Sequence, residues 1–405
     1  MHFGALSDKV SPPSKTVWYV GLIAIARKVV LPFFTRSYDI HTEKYDSKIE
    51  EPCVMLYNHC SRRDFFVTVD GFRHYGRYIL VDSFLRGPML RFILPVLSDF
   101  IFRRRGEVAD NVVGSAMATF KRGINVYLSP EGTTSQNGTT ASIRKRTGKM
   151  ISDAGVAMVT YKISGSYFIK PTWANYRAKG PIFGEVVNVY SSDEVKAMTV
   201  DEINETIARD IHINSYEWVK KRRIPYDRKN RAERMERVIY TCPKCKKVHT
   251  MRSMKDTFFC TECGYSVDVD EYGLYVGDEV IFDNMYDWDI WQINLLKSQR
   301  QDWIDNPNKV IATEYNLMLK EEIGDEMSLI EDGVILSISA SKVMIKGRET
   351  DIMIPTDDVH SFFPSSLDTI GLTAPGKYYV MKAKIPICNR RFRVILKILR
   401  GEEIL

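Results

Sequence analysis

The sequence predicts a mixed α/β domain, then a four-cysteine segment, then a small β-rich C-terminal domain. Three observations carry this. Short apolar runs alternate with helix-length stretches over residues 1–237, the pattern of a sheet flanked by helices. Two Cys-x2-Cys pairs fall within residues 238–275. Within residues 276–405 a helical connector gives way to short strand-like runs separated by Gly, Pro and Asp.

The elements follow in order. Val54-Met55-Leu56-Tyr57 is a short apolar run ending in a polar cluster, as a buried strand does. Ile124-Asn125-Val126-Tyr127-Leu128 is a second, and residues 157–163 and 182–189 add two more. Residues 112–122 read as a helix stopped by Gly123. Residues 200–218 read as one later helix, and the dense charged run 220–237 as a solvated helix or linker. Residues 287–306 are helical, with Trp288, Trp291, Leu295 and Leu296 at core spacing. Beyond Ile311 the runs at 334–339, 342–346, 351–354 and 378–384 read as strands.

A chain of 405 residues is too long for one ordinary core. The net charge of +6 is unevenly spread. Residues 1–240 hold 37 Lys and Arg against 25 Asp and Glu; the remainder holds 20 against 26. An anionic partner is therefore sought in the first part. Seven cysteines, with Cys53, Cys60 and Cys388 outside any pairing, fit a reducing compartment. No cleavable signal peptide is evident. No run of about 20 uninterrupted apolar residues offers a membrane span. Residues 17–34 come nearest, but Arg27, Lys28 and Pro32 interrupt them. Residues 84–102 are broken by Arg86, Arg91 and Asp99. Both stretches suit an amphipathic surface at a bilayer interface, with core helices as the alternative.

Three constellations carry chemistry. In Asn58-His59-Cys60-Ser61-Arg62-Arg63-Asp64, a histidine follows a buried strand and a carboxylate follows five residues later. A histidine can take a hydroxyl proton, and a carboxylate can fix its tautomer. Five residues span about 140° of a regular helix, so the pair needs His59 in the turn and Asp64 in the first helical turn. Ser129-Pro130-Glu131-Gly132-Thr133-Thr134 follows another strand, with a glycine for close approach and donors suited to an anion. Phe100-Ile101-Phe102-Arg103-Arg104-Arg105 leads an apolar run into three arginines. Singly, each also reads as an ordinary turn or a solvated basic patch.

In this order the three blocks resemble the glycerolipid acyltransferase family, in particular bacterial 1-acyl-glycerol-3-phosphate acyltransferases. His59 and Asp64 match its His-x4-Asp block. Phe100, Ile101 and Arg103 match its Phe-Ile-x-Arg block, and Pro130, Glu131, Gly132 and Thr133 its Pro-Glu-Gly-Thr block. The resemblance implies an acyltransferase domain over residues 1–237 and an acyl-thioester donor, either acyl-CoA or acyl-carrier protein. It implies a lysophospholipid acceptor and a peripheral or monotopic place on the cytoplasmic face of a membrane. By that analogy His59 is the base, Asp64 orients it, and Arg103, Glu131, Gly132 and Thr133 meet the acceptor phosphate. The chain departs from the pattern at Leu97, Ser129 and Thr134, where the family has Gly, Phe and Arg, and residues 156–161 lack a proline. Arg144, Lys145 and Arg146 are candidates for the missing charge, or a solvated run. The alternatives are an acyltransferase of the same fold with an acceptor without phosphate, or a zinc-ribbon binding protein with a degenerate enzyme domain. Cys60 is the rival nucleophile to direct transfer.

The last motif is Cys242-Pro-Lys-Cys245 followed by Cys260-Thr-Glu-Cys263-Gly264. Four thiolates at this spacing suit a closed, structural tetrahedral Zn²⁺ site, ahead of iron or two disulfides. Ribbons of this kind also occur in nucleic-acid-binding modules. The aromatic and acidic residues around it, and the acidic C-terminal part, disfavour nucleic acid.

Overall fold

The computed structural model describes residues 17–45, 51–72, 74–81, 98–103, 110–323, 326–364 and 368–404. The chain divides into two compact units. The first comprises Met1–Ser135, Thr139–Ile169 and Lys179–Lys221; the second comprises Gln136–Gly138, Lys170–Ala178 and Arg222–Leu405.

The first unit is built on a seven-stranded sheet. Its strands are β1 (Ile40–Thr42), β2 (Cys53–Tyr57), β3 (Gly76–Val81), β4 (Asp99–Arg103), β5 (Asn125–Leu128), β6 (Ala157–Ser164) and β7 (Ile182–Tyr190), in the order β1-β7-β6-β2-β5-β3-β4. From β6 to β4 every neighbouring pair is parallel, while β7 runs against β6. Parallel strands need cover on both faces, and all five residues of β2 are buried.

On one face lie the helices α3 (Asp110–Phe120), α4 (Lys145–Ala154) and α7 (Val200–Ile211); the short α5 (Ser166–Ile169) and α6 (Ser192–Ala197) come between the last two in the chain. They close a core over Val54, Leu56, Val126 and Met158. Helix α7 presents Ile203, Ile207 and Ile211, one residue per turn, and begins at a Thr199–Glu202 capping box.

The other face is aromatic and carries α2 (Asp64–Gly71). Phe65 packs edge-on to Tyr78, and Phe72 to Tyr161. Gly71 and Gly184 leave the space that the Tyr161 ring fills. A Cβ at either would stand 2.3 Å from its hydroxyl. Helix α1 (Val17–Ser37) packs on α2 through Phe34, whose ring stacks on Phe66 at 4.7 Å.

The stretch expected as one helix over 200–218 is two, α7 and α8 (Ser215–Arg222). Between them Ile213 is buried. Its N–H donates to Thr140 Oγ1 at 2.9 Å and its carbonyl accepts from Thr140 N. This side pairing takes the main-chain groups that a continuing helix would use.

In the second unit, residues 222–237 are solvated only in part, with Arg222, Arg223 and Lys229 exposed. Arg228 and Arg237 are buried, and Arg237 makes a two-pronged pair with Asp368 while donating to Trp173 O. Charge density reads as exposure only until partners far along the chain are known. A four-stranded antiparallel ribbon follows, with β8 (Met251–Met254), β9 (Thr257–Cys260), β10 (Ser266–Val269) and β11 (Tyr275–Val276). Helix α9 (Met285–Lys297) buries Trp288, whose indole N–H donates to Thr241 O. Its Asp289 is fully buried and accepts from Asn137, Gln292 and Arg390. After α10 (Arg300–Asp305) comes a seven-stranded antiparallel sheet. It runs β12 (Ala312–Ile323), β13 (Glu326–Ile338), β14 (Lys342–Lys346), β15 (Asp351–Pro355), β16 (Ser361–Pro364), β17 (Thr369–Ala374) and β18 (Lys377–Ala383). Helix α11 (Asn389–Arg400), absent from the sequence reading, packs Phe392 and Ile395 into this core.

Candidate active site and cysteine cluster

Three adjacent parallel strands deliver the site. His59 lies two residues past β2, Glu131 three past β5 and Ser166 two past β6. The carboxyl ends of neighbouring parallel strands are where ligands gather in open α/β sheets.

Asp64 is the first residue of α2, and its side chain is 1% exposed. Its Oδ2 accepts from His59 Nδ1 at 2.9 Å, Cys60 N at 2.7 Å and Ser61 N at 2.8 Å. Its Oδ1 accepts from the Ser166 hydroxyl, and the Ser61 hydroxyl, 3.3 Å from Oδ1, donates to Ser166 Oγ at 2.6 Å. A buried carboxylate is tolerable only when its lone pairs are filled in this way. The turn and first helical turn therefore bring His59 and Asp64 together across five residues. Because the acceptor at Nδ1 is a carboxylate, Nδ1 carries the hydrogen and Nε2 is the basic nitrogen.

Burial works against the charged form of His59. The Asp64 hydrogen bond and charge, with the charge of Glu131, outweigh it, and the imidazole pKa is raised. The side chain keeps 27% exposure.

Glu131 faces inward. One oxygen accepts from His59 N at 2.7 Å and the other from Ala141 N at 2.7 Å. Burial pushes its carboxyl up to about 8, against the pull of those two N–H bonds. The loop is tied a second time by Ser135 N donating to His59 O at 2.8 Å. Gly132 takes φ +65°, and a Cβ there would stand 2.3–2.5 Å from the Arg144 guanidinium. Gly132 and Arg144 are exposed, and Thr133 is half-buried.

Arg103 ends β4 on the same strand-end edge, two strands from β5, so its backbone is on the order of 10 Å away. Its side chain, with Leu97, Arg104 and Arg105, lies outside the described residues. Lys145 and Arg146 are exposed at the start of α4. The Cys60 thiol is buried, accepts from Asn58 Nδ2, and is pushed well above the ordinary range by burial and then by the Asp64 and Glu131 charges.

Two site residues escaped the sequence reading. Ser166 fills Asp64 Oδ1. Asn58, fully buried, bonds both main-chain groups of Ile163, which fixes the turn before His59 to β6. The polar Gly165-Ser166 pair directly after a buried strand was the available signal for Ser166.

Residues 38–164 match the family model described as Acyltransferase, so the chain carries an acyltransferase domain. No curated protein matches the chain. Among solved structures, it is similar to the 1-acyl-sn-glycerophosphate (LPA) acyltransferase PlsC from Thermotoga maritima. The likeness has 18% identity and a TM-score of 0.40, over 52% of this chain and 81% of that one. It is also similar to the N-terminal PH domain of human ARAP2, at 8% identity and a TM-score of 0.16, over 22% of this chain and 76% of that one.

Cys242, Cys245, Cys260 and Cys263 converge, with every sulfur within 4.8 Å of the others, and could hold a metal ion. Sγ–Sγ separations of 3.7 Å for Cys242–Cys263 and 3.8 Å for Cys245–Cys260 match the edge of a thiolate tetrahedron, about 3.8 Å for Zn–S bonds of about 2.3 Å. They are too long for disulfides. Each knuckle closes alike. Lys246 (φ +61°) donates to Cys242 O, and Gly264 (φ +72°) donates to Cys260 O. Main-chain N–H groups of Lys244, Lys247 and Glu262 point at the sulfurs of Cys242, Cys245 and Cys260. Metal analysis of the purified protein should therefore find about one zinc per chain, and Cys242→Ser should lose it. A folded ribbon with no bound metal and four titratable thiols would contradict the assignment.

Proposed function

We propose that this chain moves a fatty acyl group from a thioester of coenzyme A or acyl-carrier protein to the hydroxyl of a lysophospholipid, with lysophosphatidate giving phosphatidate. The observation that carries this reading is the His59 Nδ1–Asp64 bond at 2.9 Å, inside the segment that matches the acyltransferase family. His59 Nε2 takes the proton from the acceptor hydroxyl as its oxygen attacks the thioester carbonyl. The C–S bond breaks, and the leaving thiolate takes the proton back from the imidazolium. Asp64 stabilises that imidazolium without being protonated. Glu131 acts as a strut, holding the backbone of His59 against the loop of Gly132 and Thr133. The buried, hydrogen-bonded thiol of Cys60 favours this direct route over an acyl-enzyme.

His59→Ala should lower turnover by roughly 10²–10⁴-fold, the usual worth of a positioned base. Asp64→Asn should lose much of the activity, and Cys60→Ala should keep most of it. Intact-protein mass spectrometry after incubation with donor alone should show no added acyl mass. An acyl adduct mapped to Cys60 would overturn the direct route.

We further propose a membrane-surface location through α1. No helix among the described residues is long and apolar enough to cross a membrane. Helix α1 exposes Ile25, Val29 and Phe33, one per turn, flanked by exposed Lys28 and Arg36. The side chains of Trp18 and Leu22, expected on the same face, lie outside the described residues. The full chain should sediment with anionic liposomes at low salt, and Val29→Glu with Phe33→Glu should weaken this clearly. No sedimentation of the unmodified chain would sink the surface reading.

A further inference from the structure

Thr134 leaves the Pro130–Thr133 loop without the cation that the family pattern places there, yet a cation reaches this loop from elsewhere. Arg144 precedes α4, and its main-chain N–H donates to Pro130 O at 3.2 Å. Its side chain returns over Gly132. A Cβ at that glycine would stand 2.3 Å from Nε and 2.5 Å from Cζ and Nη2. Gly132 is thus required twice: for its left-handed backbone and for the space the guanidinium occupies.

The position bears on the reaction. Gly132 is the neighbour of Glu131, whose carboxylate holds His59 N. The two carboxylates closest to His59, Asp64 and Glu131, are buried and engaged by hydrogen bonds. The accessible parts of the loop are Gly132, Thr133 and Arg144. Arg62, exposed one helix start away, also acts on His59 as a positive charge. The open side of the site is therefore cationic, while Asp64 places a negative charge on its buried side.

We infer that Arg144 is a specificity-determining residue that receives the phosphate monoester of the acceptor beside Gly132. This rests on the phosphate-bearing acceptor proposed above. A guanidinium suits a phosphate because its planar N–H groups can bond two oxygens at once. The tight seat against Gly132 fixes one face of that plane and leaves less freedom to lose on binding.

The test compares two acceptors that share a glycerol and an acyl chain: lysophosphatidate and monoacylglycerol. The measured quantity is the ratio of their kcat/KM values with one acyl-CoA donor. Arg144→Ala should lower that ratio by about 10- to 100-fold, the range for one lost charge-assisted hydrogen bond. The loss should lie mainly in KM for lysophosphatidate, with KM for the donor little changed. Arg144→Lys should recover part of it. Gly132→Ala, which pushes the guanidinium off its seat, should lower the ratio with Arg144 intact. Inorganic phosphate should compete with lysophosphatidate in the unmodified chain and much less in Arg144→Ala. If the ratio and the phosphate inhibition are unchanged in Arg144→Ala, the role given to Arg144 is wrong while the acceptor reading stands. If the unmodified chain prefers monoacylglycerol, the phosphate-acceptor reading itself fails, and this inference with it.

Discussion

The carboxylate of Asp64 is the constraint on which the catalytic half of this molecule depends. It is buried, so each of its lone pairs must be met inside the protein. Two main-chain N–H groups, the Ser166 hydroxyl with Ser61 behind it, and the His59 imidazole meet them. To bring these donors to one point, the chain must turn tightly after β2, start α2 at Asp64 and end β6 two residues before Ser166. Asn58 and Glu131 then lock the same turn from behind, through main-chain bonds to Ile163 and to His59 and Ala141. The aromatic packing of α2 holds the carboxylate at the sheet edge. The histidine is oriented because the alternative is an unfilled buried charge.

The division of charge follows from the same constraint. Asp64 and Glu131 are engaged in building the site, and the hydrogen bond and charge of Asp64 raise the basicity of His59 against its burial. Arg144, seated on Gly132, and Arg62 are exposed. In the proposed function this short region supplies both a proton acceptor and a seat for an anion. The cysteine cluster uses the opposite strategy. There the sulfurs are gathered by two identical turns, and their spacing anticipates a tetrahedral ion.

Much of this was legible in the sequence because it is local. Val54 to Tyr57 and Ile124 to Leu128 are apolar runs that announce buried strands, and the blocks after them carry the site. The four cysteines declare themselves by spacing. What was not legible depends on partners distant in the chain. Ser166 lies 102 residues from the carboxylate it fills, and Arg237 lies 131 residues from Asp368. The charged run at 220–237 therefore read as solvated although Arg228 and Arg237 within it are buried. Residues 212–214 interrupt what periodicity reads as one helix, because Thr140 claims their main-chain groups. Lys246 closes the first cysteine knuckle with a left-handed backbone that a glycine would have advertised. The seat of Arg144 on Gly132, 12 positions apart in sequence, has no periodic signature at all.

Asp64 holds His59 as a neutral base with Nε2 free of hydrogen and with raised basicity. The direct measurement is a ¹H–¹⁵N correlation of the imidazole nitrogens across a pH series, with His59 identified by its loss in His59→Gln. The neutral form should be protonated at Nδ1, with a midpoint above the ordinary histidine value of about 6.5 that falls in Asp64→Asn. A neutral form protonated at Nε2, or a midpoint below the ordinary value, would contradict it.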